Sequence, residues 1–229
     1  MMHVEALVED RSGALIFRSL CEQELSGLEA EIGLDITNDL RAHRGLGHLP
    51  RNWDAEPSPL LGGLLDLLPA KLRAYRRILD VESDLLIICF DSDRNDPEEL
   101  REQIETVLGK YYQGRRAIIA IAVEELESWM LADEAAIASA YPDYDAQLYQ
   151  QYQQDSVCGT WEYLCRVLEG KRAEQIIEEG YPSVGRYKMS WAERISPLLD
   201  AEHNQSPSYI SFRRKLRKAL RQKVHPQNR

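Results

Sequence analysis

The sequence predicts an α/β fold in which a central, mostly parallel β-sheet is flanked by helices and followed by a mainly helical C-terminal part. Two apolar runs, residues 85–90 and 117–123, have the length and composition of strands that are buried on both faces of such a sheet. A third strand-like segment lies near the N-terminus, and helix-like segments separate the three. This alternation is typical of a doubly wound parallel sheet.

The first strand is predicted over residues 3–8, and an amphipathic segment from Ala14 to Leu28 follows a short polar turn. Its apolar spacing predicts a helix that packs back onto the strand. Residues 35–56 have mixed turn residues, and we predict a long loop there. Together with the next helices, this loop forms a predicted insertion of about residues 35–80 in a core domain of residues 1–140.

Prolines predict where the next helices begin. Ser58 before Pro59 is typical of an N-cap followed by the first helical residue, and Pro69 predicts the start of a second helix that ends near Leu79.

A stronger helix signal lies between the two apolar strands. Asp96 is a capping residue, Pro97 occupies the first helical position, and Glu99 stands at the third. We predict that this helix ends at Gly109. It connects the two strands as a right-handed βαβ unit. Residues 141–229 are predicted to form a mainly helical extension packed on the core domain.

The composition is ordinary for a soluble globular protein, with 229 residues of which 44% are hydrophobic and 29% charged. No apolar run reaches the length of a membrane span, and the first residues lack the pattern of a signal peptide. We therefore expect a cytoplasmic protein without a membrane partner; an oligomer is compatible with the sequence. The four cysteines form no Cys-x-x-Cys pair, which argues against structural zinc.

Carboxylates follow all three predicted strands. Glu9 comes after the first strand, Asp91 and Asp93 after the second, and Glu124, Glu125 and Glu127 after the third. Because the carboxyl ends of parallel strands lie at one edge of a sheet, these side chains are expected to converge. Clustered carboxylates repel unless a cation lies among them, and oxygen ligands favour Mg²⁺ or Mn²⁺. The alternative is an ordinary strand-to-helix turn, where Asp is common.

The C-terminal end is basic although the net charge is −10. After Phe212 there are eight basic residues and no acidic one: Arg213, Arg214, Lys215, Arg217, Lys218, Arg221, Lys223 and Arg229. They are either an electrostatic contact for a polyanion or the solvated end of a helix.

In this order and context the acidic motifs resemble the Toprim domain, a metal-binding fold shared by topoisomerases, primases, recombination-mediator proteins and overcoming-lysogenization (OLD) family nucleases. That pattern has a glutamate after the first strand, here Glu9, and Asp-x-Asp after a later strand, here Asp91 and Asp93. Within the fold, the chain most resembles the bacterial and archaeal domain-of-unknown-function 4276 family. The shared motifs are a basic Gly-rich loop (43–47), a Glu-rich strand end running into Trp (123–133), and a late Lys followed by Ser-Pro-Ser (188 and 206–208).

The resemblance implies a Toprim-like fold and a metal-dependent nuclease that acts on phosphodiester bonds of DNA or RNA. Its implied metal ligands for Mg²⁺ or Mn²⁺ are Glu9, Asp91, Asp93, Glu125 and Glu127. Glu127 and Lys188 would take part in catalysis together with the first three ligands. The substrate phosphate would be bound by Arg44, Gly45, Gly47 and Lys188, and by Arg213 and Arg214 if the basic end takes part. Resembling nucleases work with an ATPase, often in phage defence, so a separate ATPase partner is also implied.

One departure from the family pattern keeps other functions open. Related nucleases carry a second acid four residues after the first glutamate, where this chain has Gly13, although Asp10 is a possible substitute. A non-catalytic partner module with a degenerate metal site is therefore one alternative. A metal-dependent phosphatase of the haloacid dehalogenase type is a weaker one, because Asn95 stands where Thr or Val is expected. A sugar-nucleotide transferase gives no role to Glu9.

Overall fold

The computed structural model describes residues 1–156 and 159–222. Its strands are β1 (Met2–Val8), β2 (Ile36–Ala42), β3 (Leu85–Asp91) and β4 (Ala117–Ala122). Its α-helices are α1 (Arg11–Ile32), α2 (Leu64–Ile78), α3 (Pro97–Tyr111), α4 (Glu127–Leu131), α5 (Glu134–Ala140), α6 (Ala146–Tyr149), α7 (Thr160–Glu169), α8 (Ala173–Glu179), α9 (Ser183–Ile195) and α10 (Pro207–Arg221). Two short 3₁₀ helices span Gly170–Arg172 and Ser196–Leu198.

The four strands form a parallel sheet in the order β2-β1-β3-β4. The chain starts in the sheet interior with β1, moves outward to β2, and then returns to the other side of β1 for β3 and β4. This reversal places a topological switch point between β1 and β3, where ligands bind in open α/β sheets. The predicted Rossmann-like α/β arrangement with a helical C-terminal part is thus confirmed.

Alternate residues of β1 point into two different cores. Val4 and Ala6 belong to a cluster with α1, α4, α9 and α10, whereas Leu7 packs under α2 and α3. In the first cluster the rings of Phe17 and Phe212 lie 5.3 Å apart. The C-terminal helices therefore share one core with the first strand and the first helix.

The predicted loop over residues 35–56 is wrong in its first part, because β2 is a strand. It pairs with the whole length of β1, from Met2 opposite Ile36 to Val8 opposite Ala42. β2 lies at the edge of the sheet and most of its side chains are partly or fully exposed, so its sequence lacks the apolar run of an internal strand.

The two helices predicted from Ser58 and Pro69 are one helix. Leu60 is 91% exposed, and α2 begins after Gly63, whose N–H donates to the Asp66 carboxylate at 3.0 Å. Pro69 is buried inside the helix, where it removes one backbone hydrogen bond without ending the helix. The Asp66 carboxylate, which belongs to α2 itself, therefore caps the helix and fixes its first residue after Gly63.

The capping signal of α3 is confirmed. Asp96 accepts hydrogen bonds from the N–H groups of Glu98 and Glu99, and Pro97 is the first helical residue. The helix continues past Gly109 to Tyr111, since Val107 and Tyr111 keep its apolar face buried. Among the described residues no helix is long and apolar enough to cross a membrane.

Candidate functional site

Glu9 and Asp91 meet at the switch point between β1 and β3. Glu9 is the first residue after β1, and its N–H donates to the carbonyl of Cys89 at 3.1 Å. Asp91 ends β3, and its N–H donates to Oε2 of Glu9 at 3.0 Å. Adjacent parallel strands thus bring two carboxylates together at the carboxyl edge, as the sequence predicts.

The Asp91 side chain is buried and has a fixed orientation. The residue is 8% exposed, and its Oδ1 accepts a hydrogen bond from the N–H of Leu126 at 2.9 Å. Burial, followed by the charges of Glu9 and Glu127, raises the pKa of Asp91 well above its usual range. Its charged form is costly unless a cation binds nearby.

Two glutamates after β4 complete the acidic wall. Oε2 of Glu125 accepts from the N–H of Trp161 at 2.7 Å, and burial, helped by the charge of Glu127, raises the pKa of Glu125 to about 8. Glu127 starts α4 and is 2% exposed, and its Oε1 lies 3.1 Å from Nζ of Lys188 in α9. The structure therefore brings Lys188 into the acidic cluster.

The cluster has more carboxylates than neighbouring cations. Burial raises the pKa of Glu9 to about 7, and the charges of Asp93 and Asp10 add to this effect, which the Asp91 N–H opposes. The charge of Lys188 opposes the rise in pKa at Glu9, Asp91, Glu125 and Glu127 but does not cancel it. Burial opposes the charge of Lys188, but Glu127, Glu125 and Asp91 outweigh it and raise the pKa of its ammonium well above the usual value. Such convergent, perturbed groups at a sheet edge are typical of a functional site.

Asp93 is exposed at the entrance of this cluster. Its φ is +48°, and its N–H donates to the carbonyl of Glu124 at 2.8 Å. Glu124 also has a positive φ, +64°, and its N–H donates to Oγ of buried Ser92 at 2.8 Å. Two non-glycine residues in the left-handed region are unusual, and such strain is concentrated at functional sites. The Ser92 contact that holds this turn had no signal in the sequence.

The predicted metal ligands are not close enough to form a complete cage. In the part of the chain that the structure describes, three metal-ligating atoms within 4.8 Å of one another occur in His3, Glu5 and Asp39, and not among the carboxylates of the switch point. Magnesium commonly keeps several waters and takes only one or two protein carboxylates. Two carboxylates, as at Glu9 and Asp91, match the number that a hydrated Mg²⁺ takes from a protein.

The side chain of Leu126 occupies the space that a side chain at position 13 would need. A Cβ atom added to Gly13 would lie 2.6 Å from Cδ1 of Leu126. An acidic residue therefore does not fit there unless Leu126 moves. Asp10 instead caps α1, with its Oδ1 accepting from the Gly13 N–H at 2.7 Å, and its charge raises the pKa of Glu9 and Glu127.

The Gly-rich loop passes directly beside the site. The N–H of Gly45 donates to the carbonyl of Glu9 at 3.0 Å, and the Arg44 side chain is exposed. Gly47 has a φ of +67°, and a Cβ there would lie 2.4 Å from Oδ2 of Asp66, so this turn requires glycine. His43 is buried, with Nδ1 2.8 Å from the carbonyl of Val8. The loop thus places Arg44 near the carboxyl edge.

The basic residues of α10 are partly neutralised within the molecule. Arg213 and Arg217 both form ion pairs with Glu24, which is 1% exposed, at 2.5 and 2.6 Å. Arg214 is exposed and, in residues 1–156 and 159–222, has no ion pair. Lys223 and Arg229 lie outside the described residues. Arg213 therefore has a structural partner that the sequence did not reveal.

Comparisons of the chain with protein-family models, with curated proteins and with solved structures found no significant match.

Proposed function

We propose that this protein is a metal-dependent nuclease that cleaves phosphodiester bonds of DNA or RNA at the carboxyl edge of its sheet. The observation that carries the proposal is the hydrogen bond from the Asp91 N–H to the Glu9 carboxylate, which places a buried and a half-buried acidic residue of adjacent strands at the switch point. Burial is the main cause of their raised pKa values, and the charges of neighbouring carboxylates outnumber the one ammonium of Lys188. A divalent cation supplies further positive charge and is the usual partner of such carboxylates.

Glu9 and Asp91 would hold the metal, with Asp93 and Glu125 at the edge of its shell. When bound, Mg²⁺ or Mn²⁺ polarises a phosphoryl oxygen and favours a hydroxide nucleophile. Glu125, with a pKa of about 8, is suited to exchange a proton with water near neutral pH. Lys188 keeps its proton and offsets the negative charge of Glu127 and of an incoming phosphate.

Substrate phosphates would enter from the exposed side, where Arg44 and the main chain of Gly45 and Gly47 lie. The exposed guanidinium of Arg44 can bind a phosphate with two hydrogen bonds. The proposal includes a separate ATPase partner, by resemblance to nucleases that work with one. Cleavage by the isolated chain is then expected to be slow.

The second candidate is a non-catalytic module that binds a partner through the same surface. The packing of Leu126 against Gly13 favours it, because the second acid of the resembling nucleases has no room here. Such a module would retain a cation site at Glu9 and Asp91 without hydrolysing nucleic acid.

The proposal is tested by incubating supercoiled DNA and single-stranded RNA with the protein and Mg²⁺ or Mn²⁺, with EDTA as the blank. Asp91→Asn and Glu9→Gln should reduce metal-dependent cleavage by about 100-fold or more. Asp143→Asn is the matched control, because Asp143 is exposed and distant in sequence from the site.

Three outcomes would redirect the proposal. Cleavage that survives EDTA or Asp91→Asn contradicts the metal mechanism. Metal binding without cleavage of either nucleic acid favours the non-catalytic module. Hydrolysis of a small phosphomonoester without cleavage of polynucleotides favours a phosphatase.

A further inference from the structure

His3, Glu5 and Asp39 form a second cluster of metal-ligating groups, away from the carboxyl edge. One ligand atom of each lies within 4.8 Å of the other two. The cause is strand register: His3 and Glu5 alternate along β1, and Glu5 is paired with Asp39 on β2. In parallel strands, paired residues and their second neighbours project to the same side. The three side chains therefore converge by the geometry of the sheet.

The second carboxylate oxygen of Glu5 is held by neighbours. Oε1 of Glu5 accepts from Nε of Arg41 at 2.6 Å and from the Tyr75 hydroxyl at 2.7 Å. These two contacts leave Oε2 directed toward His3, whose Nε2 lies 3.4 Å away. Residues that fix the outer atoms of a ligand in this way are typical of metal sites.

The imidazole of His3 is oriented in the same manner. Its Nδ1 lies 3.1 Å from Oγ1 of Thr37, and that hydroxyl donates to the carbonyl of Met2. The hydroxyl therefore holds the ring so that Nε2 faces the Glu5 carboxylate. Nε2 of His3 and Oε2 of Glu5 are 3.4 Å apart, close enough for one ion to contact both atoms.

The exposure of these residues and their distance from the carboxyl edge also favour a separate metal site. The His3 side chain is 27% exposed, and the exposed carboxylate of Asp39 forms no hydrogen bond or ion pair with another described residue. Asp39 can thus bind an ion without breaking a contact. Glu5 lies four residues before Glu9 on an extended strand, about 13 Å away. A cation bound here is therefore distinct from one bound by Glu9 and Asp91.

We propose that His3, Glu5 and Asp39 bind a first-row transition-metal ion of the zinc class. One imidazole nitrogen with two carboxylate oxygens suits Zn²⁺ and its neighbours, whereas Mg²⁺ prefers oxygen alone. Donors that share an ion at about 2.1 Å can be at most about 4.2 Å apart. In a tetrahedral site the donors lie about 3.4 Å apart, so these atoms, now within 4.8 Å of one another, would close by up to about 1.4 Å through side-chain rotation.

The test is calorimetry with Zn²⁺ on chelator-treated protein that carries Asp91→Asn, so that the carboxyl edge does not contribute. One equivalent of Zn²⁺ should bind, and His3→Ala should abolish that heat. Thr37→Val, which removes only the group that orients His3, should weaken binding by about 10-fold. Co²⁺ should give visible absorption bands that depend on His3.

Folding controls separate lost ligation from lost structure. His3→Ala and His3→Gln should each match the parent in thermal unfolding measured in EDTA, and Zn²⁺ should raise the melting temperature of the parent only. Equal Zn²⁺ heats with and without His3, or absence of Zn²⁺ binding by the parent, would overturn the proposal. In that case a proton shared between His3 and Glu5 explains their contact.

Discussion

Nζ of Lys188 lies 3.1 Å from Oε1 of Glu127 in a buried ion pair that joins α9 to α4. Their side chains are only 8% and 2% exposed. A buried ion pair contributes little net stability, because desolvation of both charges offsets their attraction. Lys188 also faces Asp91 and Glu125, so its ammonium offsets the charge of three carboxylates at the carboxyl edge.

Lys188→Met should destabilise the protein strongly, because Glu127 would remain buried without its cation. We expect a loss of about 3 to 5 kcal/mol in the free energy of unfolding at pH 8, measured by urea denaturation. Adding Glu127→Gln should restore most of it. Lys218→Met, at an exposed position of α10, should change stability by less than about 0.5 kcal/mol. An equal cost of Lys188→Met with and without Glu127→Gln would show that the ammonium does not support this carboxylate.

The metal-free protein should lose stability as the pH rises. Glu9 and Glu125 have pKa values of about 7 and 8 in the folded state, above the usual 4.5, so between pH 4.5 and these values the folded state binds more protons than the unfolded state. Deprotonation of Glu9 therefore lowers the free energy of unfolding between about pH 4.5 and pH 7. Deprotonation of Glu125 lowers it further, up to about pH 8. Glu9→Gln should therefore stabilise the protein by roughly 1 to 2 kcal/mol at pH 8 but not at pH 5.

Urea denaturation in EDTA at both pH values measures this difference. The same deprotonation should make Mn²⁺ bind more tightly as the pH rises through this range, with release of protons. A Glu9→Gln effect that is the same at pH 5 and pH 8 would contradict the raised pKa.

Two substitutions of Asp91 separate its charge from its hydrogen bond. Asparagine keeps an oxygen that can accept from the Leu126 N–H but removes the charge. Asp91→Asn should therefore be at least as stable as the parent at pH 8 without metal, while Asp91→Ala should be about 1 to 3 kcal/mol less stable than Asp91→Asn. Both should lose Mn²⁺ binding. If Asp91→Asn is also strongly destabilised, the negative charge itself serves the turn and not a cation.

Gly13 should resist substitution because of Leu126 and not because of its backbone. Gly13→Ala should destabilise by roughly 1 to 3 kcal/mol through the 2.6 Å contact with Leu126. In a Leu126→Ala background the same change should be neutral or stabilising. Gly27 is the matched control in α1: a Cβ there has no neighbour within 4 Å, so Gly27→Ala should stabilise by about 0.5 to 1 kcal/mol. Equal effects at Gly13 in both backgrounds would exclude this packing.

The strands and acidic motifs were predictable because their signals are local. An apolar run of six residues followed by Asp91 specifies both a buried strand and the edge at which that strand ends. β2 lacked such a signal, because an edge strand needs no apolar run and is stabilised by pairing with β1. The start of α2 likewise depends on a bond from Gly63 to Asp66 inside the helix, while Ser58 and Pro59 offered a misleading capping pattern.

The composition of the site was predictable only in part, because long-range contacts decide it. Lys188 is 61 positions from Glu127, and its place in the cluster follows from the packing of α9 and not from its neighbours in sequence. Arg213 is similarly paired with Glu24 across the fold. Charge patterns indicate which residues can interact with a polyanion, but they do not reveal which of them already have a buried partner.

The basic face of α10 therefore divides into two sets with different expected behaviour. Arg213 and Arg217 neutralise buried Glu24, so replacing both with Gln should destabilise the fold. Replacing Arg214, Lys215 and Lys218 should leave folding intact, because substitutions outside buried ion pairs usually cost little.

If these three contact a nucleic acid backbone, their replacement with Gln should flatten the dependence of log affinity on log salt by roughly two to three units, at about 0.7 to 0.9 per contact. Fluorescence anisotropy with a labelled oligonucleotide across a salt series measures that slope. An unchanged slope in a normally folded triple variant would restrict phosphate binding to Arg44, the Gly-rich loop and the metal at Glu9 and Asp91.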